Sequence, residues 1–127
     1  MVRRVRRPLV MYHGTRRGFE NFDPRFWDDE PGFFFTPRLA YARNYARNGG
    51  RVIAAYLRMT NRYRCDEHAW GHAKGLDIEE AMRAGHDCYV VAPYSLGTMF
   101  IVWNPDSIHV VSPDIDADAD WKSRLAA

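Results

Sequence analysis

The sequence predicts an α+β fold in which two antiparallel β-sheets pack together with a few short helices. Three observations predict it. Apolar runs at 9–12, 33–36, 51–57, 88–91, 99–103 and 108–111 have the length of strands and are too short for buried helices. Two segments carry helical spacing, and they do not alternate with the strands as repeated βαβ units require. The chain has 127 residues, of which 46% are hydrophobic, enough for one core and too few for two.

The elements follow in order. Residues 1–7 form a basic arm with arginines at 3, 4, 6 and 7, and the folded domain is expected over 8–112. Pro8 opens the first strand, which stops at Gly14. Residues 16–31 read as a long ordered loop, pinned by Phe19, Phe22, Phe26 and Trp27, and a loop of that length beside a site often serves as a lid. Phe33–Thr36 is the second strand. Thr36 then suits an N-cap and Pro37 the first helical turn, with Leu39, Ala42, Tyr45 and Ala46 on one face and Asn48-Gly49-Gly50 as the stop. Arg51–Leu57 is the third strand, and 58–76 reads as polar and irregular. A short helix over 76–84 starts near Asp77 and ends before Gly85. Strands at 88–91, 99–103 and 108–111 complete the domain, and 113–127 reads as a peripheral, acidic then mixed tail.

Composition narrows the function. A net charge of +2 gives no strong field for polyanions. The basic residues are almost all arginine, which favours planar two-point contacts with phosphate. Cys65 and Cys88 are too few for a disulfide framework and read as free thiols of a reducing cytosol. No apolar run approaches the length of a membrane span, so no membrane partner is expected. The expected location is cytoplasmic, including delivery into a host cell by a route that needs no signal.

Chemistry concentrates in two places. His13-Gly14-Thr15 offers an imidazole, a bare backbone and a hydroxyl at a strand end. Gly32-Phe33-Phe34-Phe35-Thr36 runs into a helix that carries Ala42 and Tyr45. A polar strand edge facing an aromatic ring suits a flat, charged heterocycle. These segments resemble the first two motifs of ADP-ribosyltransferases of the diphtheria-toxin and poly(ADP-ribose) polymerase type. Residues 84–91 are similar to a segment of small bacterial and phage members, and 100–108 resemble the closing strands of the same group. The order agrees from about residue 9 to 111.

The resemblance implies a split β-sandwich that holds NAD in the cleft between its sheets. His13 would hydrogen-bond a ribose hydroxyl, and Gly14 would present its backbone N–H and C=O to the nicotinamide amide. Thr15 would reach a ribose or phosphate oxygen. Tyr45 would stack on the nicotinamide, with Phe34, Thr36 and Ala42 lining the same slot. The implied activity is transfer of one ADP-ribose from NAD to a protein, nucleic acid or small molecule, in a toxin, phage-encoded modifier or resistance enzyme, with an antitoxin or inhibitor protein as a further partner.

One part of the pattern is missing. Where polymerase-like members carry a glutamate before the closing strand, this chain has Met99. Three explanations stay open. An acid from elsewhere serves, with Asp66 and Glu67 the leading candidates because the rifamycin-modifying branch has its acid after a comparable strand, and Asp87 and Asp106 as further choices. The substrate supplies its own carboxylate. Or the domain binds NAD without turnover, as an interaction module. An RNA 2′-phosphotransferase of the same broad superfamily is a further alternative, although such enzymes lack this tyrosine pattern. Cys65, His68, His72 and Cys88 lack the paired spacing of a zinc site. Asp114, Asp116, Asp118 and Asp120 lack the glycine and glutamate of a calcium loop, so no metal is expected.

Overall fold

The computed structural model describes residues 9–15, 22–23, 31–46, 49–65, 75–92 and 97–125. Among these residues, seven strands form two sheets. Strands β1 (Val10–Thr15), β3 (Arg51–Leu57) and β7 (Ile108–Ser112) make the first, in the order β1-β3-β7. Strands β2 (Phe33–Phe35), β6 (Met99–Val102), β5 (Cys88–Val91) and β4 (Arg62–Cys65) make the second, in the order β2-β6-β5-β4. Helix α1 (Leu39–Tyr45) lies against the first sheet, and helix α2 (Ile78–Arg83) against the second. This is the expected α+β sandwich, with one difference: β4 runs parallel to β5, while every other pair is antiparallel.

Side-chain alternation along the strands divides the apolar residues into three layers. Met11, Ile53 and Ala55 from the first sheet meet Phe33, Phe35, Cys88, Val90 and Val102 from the second. On the outer face of the second sheet, Ile78 and Ala81 of α2 cover Cys65, Tyr89, Val91, Met99 and Ile101. On the outer face of the first, Ala42 of α1 packs with Val52, Ala54, Ile115 and Trp121. Both β3 and β5 are covered on two sides, which explains their unbroken apolar sequences Val52–Ala55 and Cys88–Val91.

Helix α2 follows its sequence signals. The Asp77 carboxylate accepts from the Glu80 amide at 2.8 Å in a capping box, and Gly85 takes φ +92° after the last turn. Tyr63 and Tyr89 fix the approach to it: the Leu76 amide donates to the Tyr63 hydroxyl at 2.9 Å, and the Tyr89 hydroxyl donates to the Leu76 carbonyl at 2.7 Å.

Three expectations need correction. Helix α1 starts at Leu39, after Arg38, so Thr36 does not cap it. Thr36 is held extended by a backbone bridge to Tyr12, and the following proline disfavours helical geometry there. Residues 62–65, expected to be irregular, are strand β4. Its pattern alternates, but the residues facing the inter-sheet side are Arg62 and Arg64, so no apolar run marks it. Charge on an edge strand of this kind deters pairing with another chain. Finally, the segment after Pro113 is not peripheral. Ile115 and Trp121 are buried, the Ile115 amide donates to the Val52 carbonyl at 3.0 Å, and Arg43 grips Asp116 through two bonds of 2.8 and 3.0 Å.

That last contact generates a test. Trp121→Ala removes a buried ring from the outer cluster and is expected to lower unfolding stability by about 3–5 kcal/mol in urea titrations. Arg43→Ala, which breaks an exposed ion pair, is expected to cost less than about 1 kcal/mol.

Candidate active site at the sheet junction

The site begins where the two sheets touch. Tyr12 and Thr36 exchange backbone bonds of 2.8 and 2.9 Å, which joins β1 to β2. Amide and carbonyl groups of successive strand residues point to opposite edges. Those of Gly14 therefore point to the same edge as those of Tyr12, towards β2. The ladder does not continue there. At this level the Phe34 carbonyl accepts from Nδ1 of His13 at 2.8 Å. A carbonyl cannot donate, so Nδ1 carries the proton and Nε2 is the accepting nitrogen of the neutral ring. The imidazole thus takes as its acceptor the carbonyl that lies level with Gly14 on the facing strand.

Consecutive side chains leave β1 on opposite faces. The His13 ring lies among Phe22 and Phe35, with centroids 5.4 and 5.3 Å away, on the inter-sheet side. Gly14 faces α1. A methyl group placed on it would overlap the Ala42 carbonyl oxygen and come within 2.9 Å of Tyr45 Cβ. The glycine is thus required for close approach of the helix, a reason different from the ligand approach expected of it. The structure therefore places His13 and Tyr45 on opposite faces of β1, the imidazole among the inter-sheet aromatics and Tyr45 against the next residue, Gly14. Gly50 repeats the device at the C-cap of α1, where a Cβ would meet the Thr15 and Ala46 carbonyls.

The other candidates are distributed as follows. Tyr45 is 53% exposed on the last turn of α1, and its hydroxyl lies 3.1 Å from that of Tyr41. Ala42 is 1% exposed, its methyl in the outer cluster and its carbonyl against Gly14. Thr15 is buried at the end of β1. Thr36 is also buried, and its hydroxyl accepts from the Arg38 amide at 3.1 Å. Phe34 is half-buried on the outer face of the second sheet, the face that Met99 also occupies. Met99 is 4% exposed there, so position 99 contributes an apolar filler under α2 and no charge.

The acids separate by position. Asp87 precedes β5, at the end remote from the Val91–Met99 pair, and its carboxylate is already engaged. It accepts from the Thr60 amide and hydroxyl, both at 2.7 Å, and from the Asn61 amide at 2.9 Å. Burial pushes its pKa up, but these bonds outweigh that and hold it below 3.8. Asp106 sits in the turn after β6, also at that remote end. Asp66 and Glu67 lie outside the described residues. The strand they follow ends at Cys65, which pairs with Val91, itself paired with Met99.

Neither metal reading gains support. Cys65 and Cys88 lie on opposite faces of the second sheet, and burial, with the charge of Asp87, pushes the Cys88 thiol up to about 12. His68 and His72 lie outside the described residues. Asp116 and Asp118 are paired with Arg43 and Arg124. Among the described residues no group of three or more metal-ligating side chains converges. Two residues that matter here escaped sequence reasoning: Gly50, read as a helix stop alone, and Tyr41, whose i,i+4 spacing to Tyr45 was the available signal.

The family model described as ADP-ribosyltransferase in polyvalent proteins matches residues 6–99, well over half of the chain. The match takes in β1, β2, α1 and both motifs, and ends at the first residue of β6. No curated protein matches the sequence.

Two measurements check this geometry. Gly14→Ala is expected to push α1 off β1 and to cost about 1–3 kcal/mol of stability by overpacking. Asp87 has a depressed folded pKa, so its stabilisation is complete above the ordinary carboxylate range and disappears as pH falls through the folded value. Asp87→Asn should therefore be less stable than the parent at neutral pH, and urea midpoints of the two should converge as pH falls below the ordinary carboxylate range.

Proposed function

The chain belongs to the ADP-ribosyltransferase superfamily, and on that premise we propose that it binds NAD at the junction of its sheets and transfers a single ADP-ribose to an acceptor. The observation that supports this reading is the position of Gly14 on β1, beyond the backbone bridge that joins β1 to β2 and directly against Ala42 and Tyr45 of α1. A carboxamide needs one acceptor and one donor on a common edge, and its ring needs an aromatic surface next to them. Gly14 answers the first need and Tyr45 the second.

The roles follow. NAD, when bound, supplies a glycosidic bond whose cleavage leaves nicotinamide with the bonding electrons and positive charge on the ribose. Gly14 and Tyr45 fix the leaving ring. The bond from Nδ1 to Phe34 orients the His13 ring, to which we assign the contact with a ribose hydroxyl. Such clamping lowers the barrier by orientation. A carboxylate beside the sugar stabilises its charge and takes the proton of the attacking acceptor. Asp66 and Glu67 are the proposed source, because they follow a strand end level with Met99, whereas Asp87 is committed to Thr60 and Asn61.

A second reading has one observation in its favour. The position where polymerase-like members hold their glutamate is a buried methionine, which suits a module that binds NAD without consuming it. Calorimetry with NAD, paired with a nicotinamide-release assay, separates the two. The transferase reading expects release that falls at least about 10²-fold in Tyr45→Ala or in the Asp66→Asn, Glu67→Gln double variant, the latter with NAD affinity retained. Binding with no release by the parent chain assigns the inert module instead.

A further inference from the structure

We infer that Tyr41 is a positioning residue that holds the Tyr45 ring ready for a nicotinamide; the inference rests on the reading of Tyr45 above. At 53% exposure, Tyr45 is not held by packing. Two contacts act on it from opposite ends. At Cβ, the close approach of Gly14 and α1 sets where the side chain leaves the helix. At the hydroxyl, Tyr41 lies one helical turn earlier, its oxygen 3.1 Å from that of Tyr45 and its ring perpendicular, with centroids 5.3 Å apart. Perpendicular aromatic pairs at this separation attract beyond the area they bury. Tyr41 is the more buried of the two, so it is the anchor and Tyr45 the group it restrains.

The functional gain lies in entropy. A ligand that stacks on a free side chain must also immobilise it, and that cost subtracts from affinity. A ring already tied at both ends costs less to engage. The effect is specific to the pyridine end of the ligand, because the ADP-ribose portion does not touch the ring in this reading. That specificity distinguishes positioning from general support of the helix.

The test measures dissociation constants for NAD and for ADP-ribose by calorimetry in the parent chain, Tyr41→Phe, Tyr41→Ala and Tyr45→Ala. Tyr41→Phe keeps the ring and removes the hydroxyl, and its thermal midpoint should match the parent. Its NAD affinity should fall about two- to fivefold, and that of Tyr41→Ala about tenfold, with ADP-ribose affinity unchanged in both. Should both Tyr41 variants bind NAD as the parent does while Tyr45→Ala does not, the positioning role is wrong and the role of Tyr45 stands. Equal losses for NAD and ADP-ribose would make Tyr41 a structural residue only. A Tyr41→Phe chain that binds NAD more tightly would also overturn the proposal, since the contact would then restrain Tyr45 against the ligand. If the parent chain binds no NAD, the proposal falls together with the reading beneath it.

Discussion

The hydrogen bond from His13 to the Phe34 carbonyl is the contact on which the architecture of the site depends. Among the described residues, the backbone bonds between the two sheets occur at Tyr12–Thr36 alone. One residue further along β1, a side chain replaces the backbone as donor. A continued ladder would have sealed the sheets together and consumed the polar groups of Gly14. An unpaired Phe34 carbonyl in this partly buried place would have been costly. The imidazole satisfies the carbonyl and keeps the strands apart, so one ring resolves both problems and sets its own tautomer in doing so.

The opening has a rigid wall because α1 sits unusually close to the strands beneath it. Gly14 and Gly50 admit the C-terminal half of the helix, where any side chain would collide with the Ala42 or Ala46 carbonyl oxygen. Seven residues make a helix too short to be stable alone. Its order comes from this close seat, from Ala42 in the outer cluster, and from the ion pair between Arg43 and Asp116. The segment after β7 is therefore a brace for the helix that presents Tyr45.

Much of this was legible in the residues. The apolar runs gave the strands of the core, because β3 and β5 are covered on both faces and need no polar alternation. The Asp77–Glu80 box and Gly85 gave α2 because caps are local. The motifs at 13–15 and 32–45 gave the place of the site. What stayed hidden was tertiary. Strand β4 owes its order to pairing with β5, and its exposed arginines disguise it. Thr36 looks like a cap until the bridge to Tyr12 pulls it extended. Trp121 looks like a solvated tail residue because its partners, Val52 and Ala54, are some seventy positions earlier in the chain. Gly14 was recognised as essential, but its collision partner belongs to a helix that no local pattern connects to β1.

Strand order carries a consequence for assembly. The first sheet joins strands distant in the chain, β1, β3 and β7, and the second pairs β4, β5 and β6 in succession but places β2 beside β6. Strand β2 gains its sheet partner only from β6, and the brace for α1 lies further along the chain still. Docking of β6 beside β2 therefore couples completion of the second sheet to the junction that β2 makes with β1 through Tyr12 and Thr36.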